Sequence, residues 1–182
     1  MKKVLIPLAP GFEEVEALTV VDILRRAGAE VTLAGTISGV IIGRNGIKVL
    51  ADEPLEAVIG KTFDMVVLPG GAQGTEILKR DANVKKAVER LMKQGGFVAA
   101  ICAAPTVLAA IGAIRGAHLT CHPSVREELR AEKLSDERVV IDNKLITSQS
   151  PGSAMEFAFA LAGALFGQEK IKEVNKGVMA LL

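Results

Sequence analysis

Tryptophan and tyrosine are absent, and phenylalanine occurs six times among 182 residues. The aromatic platforms on which single-stranded nucleic acid stacks are therefore missing. Charge of one sign is missing too: 22 lysines and arginines interleave with 21 aspartates and glutamates, a formal net charge of +1. No basic stripe is left to neutralise a phosphate backbone, so no nucleic-acid partner is expected. No apolar run approaches the roughly 20 residues that span a bilayer, so no membrane partner is expected either. The start, Met1-Lys2-Lys3 and then Val4 to Pro10, has the basic residues of a signal peptide, but its apolar run is broken by prolines and followed by Glu13 and Glu14. It reads as a first core strand. Cysteine is scarce: Cys102 and Cys121 lack the spacing of a disulfide framework or a zinc knuckle. Reduced thiols in a cytoplasmic protein follow as the expectation.

What is present is a core. Apolar residues make up 49% and charged residues 24%, enough for one domain over residues 1–182 and too little chain for two of ordinary size. Short β-rich runs alternate with helical patterns: Lys3 to Leu8, a helix from Glu13 to Ala27, then Glu30 to Ala34. Val40 to Gly43 and Ile47 to Leu50 flank Arg44-Asn45-Gly46, whose Asn-Gly pair predicts a hairpin. Met65 to Leu68 is apolar on both faces, as a central parallel strand is, and ends in Pro69-Gly70-Gly71; a helix is predicted from Thr75 to Gln94. A strand over Phe97 to Ile101, another over Ala117 to Cys121, a hairpin of Val139 to Ile141 with Leu145 to Ser148, and helices over Ser153 to Phe166 and Glu169 to Val178 complete the chain. This alternation implies an α/β sandwich: a mostly parallel sheet, helices on both faces, β-hairpin insertions, and a site outside the carboxyl ends of the strands.

Three strand ends carry chemistry. Cys102 follows the run Phe97 to Ile101 and precedes Ala103, Ala104 and Pro105, a residue suited to the first turn of a helix. A sulfur near free N–H groups is expected to have a depressed pKa and act as a nucleophile, although free cysteine is as readily a small buried hydrophobe. Glu16 heads the apolar stripe Val20, Ile23 and Ala27 on the first helix, so burial is expected to keep its carboxyl protonated as an acid/base partner; as a plain first-turn carboxylate it would complement the helix dipole instead. Glu13 and Glu14 are expected to cap that helix or face solvent. Gly70 and Gly71 allow close backbone approach and, with Ala103, offer N–H groups to an oxyanion. His122, before Pro123 at a strand end, is a further acid/base candidate. His118, Cys121 and His122 crowd one strand end without a fourth ligand, so no metal is expected. A phosphate-bearing ligand is disfavoured because Pro10-Gly11-Phe12-Glu13-Glu14 has no glycine-rich phosphate loop and carries charge that repels it.

Gly11-Phe12-Glu13-Glu14-Val15-Glu16, Arg25-Arg26-Ala27-Gly28, Val67 to Gly71, Ala99 to Pro105, His122-Pro123 and Leu145 to Gly152 occur in one order along the chain. In this the sequence resembles the ThiJ/PfpI superfamily, and within it the DJ-one branch of the Parkinson-disease protein and its bacterial relatives. The resemblance implies a flavodoxin-like three-layer fold, a homodimer, and an easily oxidised cysteine at Cys102 beside a protonated glutamate at Glu16. It further implies backbone amides at Gly71 and Ala103, and a nearby histidine at His122. It implies glyoxalase or protein deglycase activity without glutathione or cofactor, on methylglyoxal, glyoxal or glycated amines and thiols. Chaperoning and protection against oxidative stress are associated with the same branch. A redox-sensing chaperone without turnover is the alternative. Intracellular peptidase activity is disfavoured, because Ala103 stands where the PfpI branch carries a histidine after its cysteine. The branch also brings a hairpin arginine to the partner's site, a place that either Arg44 or Asn45 could take here.

Overall fold

The computed structural model describes residues 1–181. In chain order its elements begin with β1 (Lys3–Leu8), α1 (Glu14–Arg26), β2 (Glu30–Gly35), β3 (Val40–Ile42), β4 (Lys48–Leu50), β5 (Glu53–Pro54), α2 (Leu55–Val58) and β6 (Met65–Leu68). Then come α3 (Ala72–Arg80), α4 (Ala82–Lys93), β7 (Phe97–Ile101), α5 (Pro105–Ile111), β8 (His118–Leu119) and β9 (Lys133–Leu134). The chain closes with β10 (Val139–Asp142), β11 (Leu145–Ser148), α6 (Ala154–Phe166) and α7 (Gln168–Val178), and 3₁₀ turns cover Pro123–Leu129 and Pro151–Ser153.

Seven strands form one sheet in the order β10-β11-β7-β6-β1-β2-β5, parallel except where β10 folds back along β11. Side chains alternate across it with period two. Val4, Ile6 and Leu8 of β1, with Ala99 and Ile101 of β7, enter one core with α1 and α6. Leu5, Val98 and Ala100 enter the other with α4 and α5. The doubly covered α/β sandwich is therefore observed, and β6 and β7, whose residues are apolar on both faces, run through its middle.

Two elements differ from expectation. The helix predicted over Thr75 to Gln94 is α3 and α4, broken at Asp81. There the backbone turns extended, and the Asp81 carboxylate accepts hydrogen bonds from the N–H groups of Asn83 (2.7 Å) and Val84 (3.2 Å). An N-cap of this kind starts a new helix where apolar periodicity shows none. The strand predicted over Ala117 to Cys121 shrinks to β8, paired with β9 in a small separate sheet. Its backbone leaves the ladder because Thr120 N–H donates to Thr147 Oγ1 at 3.0 Å and His122 N–H donates to the Cys102 carbonyl at 2.9 Å.

The β3–β4 hairpin stands apart from the main sheet. Its turn grips the start of α1: Arg44 N–H donates to Phe12 O (2.9 Å), and Gly11 N–H donates to Ile42 O (2.8 Å). Val40, Ile42 and Leu50 leave apolar surface on its outer face. Among the described residues, no helix is long and apolar enough to cross a membrane.

Candidate active site

Cys102 is the residue after β7, and its backbone is left-handed, with φ of 64°. That conformation costs a non-glycine residue roughly 1–2 kcal/mol. Long-range backbone bonds impose it: Cys102 N–H donates to the Ser148 carbonyl, and the Cys102 carbonyl accepts from His122, both at 2.9 Å. A strand that ends in so sharp a turn turns its last side chain out of the ladder, at the carboxyl edge of the sheet. Cys102 is partly exposed, whereas Cys121 is buried.

Glu16 meets it from α1. The carboxyl is 1% exposed, because it heads the same helix face whose Val20, Ile23 and Ala27 enter the core. Its Oε2 accepts the Gly70 N–H at 2.8 Å. Its Oε1 is buried without a hydrogen-bonding nitrogen or oxygen, and the remaining polar neighbour of the carboxyl is the Cys102 thiol. The N–H groups of Gly71 and Ala103 face the sulfur and favour the thiolate. Gly70, expected as an oxyanion donor, is instead committed to Glu16.

Glycine at 70 is dictated by closeness. A Cβ there would lie 2.5 Å from Glu16 Oε2 and 2.7 Å from Cys102 Cβ. Gly70→Ala should force the pair apart, lowering stability by about 1–3 kcal/mol and shifting the pH dependence of Cys102 alkylation. Urea unfolding and iodoacetamide rates across pH measure both; an unchanged alkylation profile would show that the pair does not depend on this contact.

Burial raises the Glu16 carboxyl to about 7, helped by the Glu13 charge and opposed by the thiol, the Gly70 amide and Arg44. Burial also pushes the Cys102 thiol up to about 12, and the charge and hydrogen bond of Glu16 push the same way. The expected depression of the thiol is therefore not what the structure gives. Helix α5 is a single short element that begins at Pro105, beyond two intervening residues. Its dipole and the amides are outweighed by the burial of the thiol and, after that, by the carboxylate against the sulfur. The two groups titrate as a unit. Between about 7 and about 12 they hold one proton and one negative charge between them. Charge on sulfur is met by the Gly71 and Ala103 amides, and charge on the carboxyl by the Gly70 amide.

Glu13 and Glu14 neither cap α1 nor face solvent: they are 6% and 3% exposed, and neither makes a side-chain cap. Glu14 Oε1 accepts Asn45 N–H (2.7 Å) and Ile47 N–H (3.3 Å), and Oε2 accepts from Asn45 Nδ2 (2.8 Å). These bonds lower its pKa against the burial that would raise it. Glu13 pairs with Arg44 (3.4 Å) and accepts from Asn45 Nδ2 (3.3 Å). Arg44 and Asn45 thus both serve their own chain's carboxylates. Sequence reasoning missed this layer. Its signal was Gly43, where any Cβ would run into the Glu14 carboxyl.

His122 is joined to the site through its backbone. Its ring is fixed at one nitrogen: Nδ1 lies 2.7 Å from Ser124 Oγ and accepts Ser124 N–H at 3.2 Å, capping the 3₁₀ turn. A ring nitrogen that accepts an amide proton leaves Nε2 to carry the hydrogen. Among the described residues no group of histidine, cysteine and acidic side chains could hold a metal ion.

Residues 2–164 match the model of the DJ-1/PfpI family. The chain is 42% identical over 181 residues to "Protein dj-1beta" of Drosophila melanogaster, covering 98% of this chain and 97% of that one. The crystal structure of the same fly protein superposes with a TM-score of 0.96 at 41% identity, covering 100% of this chain and 99% of that one. "Glutathione-independent glyoxalase DJR-1.2" of Caenorhabditis elegans is 36% identical over 178 residues, 96% of this chain and 95% of that one. An oxidized Toxoplasma gondii DJ-1 structure matches at TM-score 0.95 and 33% identity over 100% of both chains.

Proposed function

The chain belongs to the DJ-1/PfpI family, and from that membership we propose that it is a cysteine-dependent, glutathione-independent glyoxalase, acting on methylglyoxal, glyoxal or their early adducts with amines and thiols. The observation that carries the reading is the Glu16–Cys102 pair, which above about 7 holds one proton between an acid and a nucleophile. In the reactive form the proton sits on Glu16, and the thiolate is held by the Gly71 and Ala103 amides.

The thiolate attacks the aldehyde carbon, forming an S–C bond, while the carbonyl oxygen takes the Glu16 proton to give a hemithioacetal. Glu16, now a carboxylate, removes the hydrogen on that carbon and returns a proton to the neighbouring carbon. The hydroxyl proton passes from the oxygen of the first carbon to that of the second, so the first carbon becomes a thioester and the second carries the hydroxyl. Water then cleaves the S–C bond, releases lactate from methylglyoxal, and restores the thiol. Every step is completed by the substrate, water and two side chains. Attack on an aldehyde adduct of an amine or thiol makes the same sequence a deglycase reaction. His122 has Nδ1 taken up by Ser124, which leaves Nε2 as the ring atom available for an acid/base part.

The free thiols of Cys102 and Cys121 suit a reducing cytoplasm. The apolar surface at Val40, Ile42 and Leu50, with Val15 exposed on the adjoining α1, supports a homodimer formed through the hairpin. Incubation of the purified chain with methylglyoxal, without glutathione, tests the activity: lactate should accumulate, and failure to form it would overturn the reading.

The amides around the sulfur favour a second reading, an oxidation sensor. They would hold a Cys102 sulfinate formed by two equivalents of peroxide, with the Glu16 proton donated to one of its oxygens. The oxidized state of the Toxoplasma relative agrees with this. Intact-mass spectrometry after mild peroxide would show two oxygens added at Cys102, and in a pure sensor no lactate would form.

A further inference from the structure

A strained backbone persists only where its surroundings over-determine it. For the left-handed turn at Cys102 those surroundings are two main-chain partners, the Ser148 carbonyl and the His122 N–H, and β11 reaches both. Its last two residues, Thr147 and Ser148, are fully buried and lie opposite Ala100 and Ile101 of β7. Successive side chains of a strand point to opposite faces. The two hydroxyls therefore enter different layers: Ser148 on the side of Ile101, with α1 and α6, and Thr147 on the side of Ala100, with α4 and α5.

On the first side Ser148 Oγ donates to the Arg138 carbonyl at 2.9 Å and lies 2.7 Å from Ser153 Oγ, which accepts the Ser150 N–H at 3.1 Å. The residue whose carbonyl holds the Cys102 amide is thereby tied to the residue before β10 and to the one before α6. On the second side Thr147 Oγ1 accepts the Thr120 N–H at 3.0 Å. Thr120 is itself buried, and its hydroxyl donates to the Ser135 carbonyl at 3.2 Å. Two residues further on comes the His122 N–H that meets Cys102. Residues 120–122 pair with no strand among the described residues, so the Thr147 hydroxyl does for this stretch what a ladder carbonyl does elsewhere. A buried N–H deprived of its acceptor is costly, and the chain would relieve it by drawing residues 120–122 away from Cys102.

We propose that Thr147 and Ser148 are positioning residues for Cys102: adjacent hydroxyls on opposite faces of β11 that fix the two main-chain partners of its left-handed turn and so hold the sulfur against the Gly71 and Ala103 amides. The proposal rests on Cys102 as the reacting group, whichever carbonyl compound it attacks.

Three variants test it. Thr147→Val keeps the size of the side chain and removes the acceptor, Thr147→Ser keeps the hydroxyl and removes the methyl, and Ser148→Ala removes the other hydroxyl. With methylglyoxal, Thr147→Val and Ser148→Ala should each lower kcat by about tenfold or more while KM stays within about twofold. The pH profile of Cys102 alkylation should move towards that of an exposed thiol in both. Thr147→Ser should stay near the parent in each respect. Amide exchange followed by NMR locates the effect: the His122 N–H in Thr147→Val and the Cys102 N–H in Ser148→Ala should exchange about tenfold faster, with Ile6 in the middle of β1 unchanged. Parent-like kcat and alkylation in Thr147→Val and Ser148→Ala, a Thr147→Ser variant as impaired as Thr147→Val, or equal acceleration at Ile6, the sign of a merely weaker fold, would each overturn the proposal. If the parent itself forms no lactate, the glyoxalase reading falls, while alkylation and exchange still decide the role of the two hydroxyls.

Discussion

Cys102→Ser should reduce lactate formation from methylglyoxal by at least about a thousandfold, on the order of 4 kcal/mol of transition-state stabilisation, while leaving the fold intact. The hydroxyl of serine ionises far less readily than a thiol and is a far weaker nucleophile towards the aldehyde, so little adduct forms even with Glu16 beside it. The left-handed turn survives because it is fixed by main-chain bonds to Ser148 and His122, none of which involve the side chain. Urea unfolding of the variant should therefore match the parent within about 0.5 kcal/mol. A serine variant that keeps more than about a tenth of the activity would remove the nucleophile from the mechanism.

Glu16→Gln is the complementary experiment, and its effect is largest on stability. A carboxyl at 4.5 in the unfolded chain and about 7 in the folded one holds its proton more tightly when folded. Below 4.5 both states are protonated and burial carries no charge penalty. As pH rises from 4.5 to about 7 the unfolded chain ionises first, so stability falls, by about 3 kcal/mol in all. The parent should lose that much relative to Glu16→Gln across this interval, with glutamine keeping a carbonyl for the Gly70 amide. The lowered carboxyls of Glu14, Asp64 and Glu76 act at more acid pH and with the opposite sign. The raised thiol removes stability only above 9.0. Urea midpoints of both proteins across the interval decide the matter: parallel curves would mean that Glu16 titrates normally. Turnover should also fall by about a hundredfold or more in the variant, which has no proton to give.

Much of this site could be read from residue order. Uninterrupted apolar runs over β6 and β7, each ending in small residues, put Gly71 and Cys102 at one edge of a parallel sheet, and three-and-four spacing put Glu16 on the inward face of α1. What could not be read was set by partners distant in sequence. Glu13 and Glu14 look like solvent-facing residues until the hairpin supplies Arg44 and Asn45 some 31 positions later. The break at Asp81 depends on one carboxylate turning back on two amides, while the apolar pattern runs through it unbroken. The thiol was misjudged because a helix start was weighed without the burial of the sulfur and the carboxylate that lies against it, and the Gly70 amide because its acceptor lies 54 residues away.

The left-handed Cys102 has a consequence for how this protein can change. Glycine adopts that backbone freely, so the mutation most relaxing to the turn is the one that deletes the sulfur. A neutral residue at 16 would similarly relieve a buried charge. Selection for heat resistance alone, in the laboratory or in a lineage that no longer needed the chemistry, would be drawn first to these two positions. Persistence of both in a thermostable descendant would then be a record of continued use.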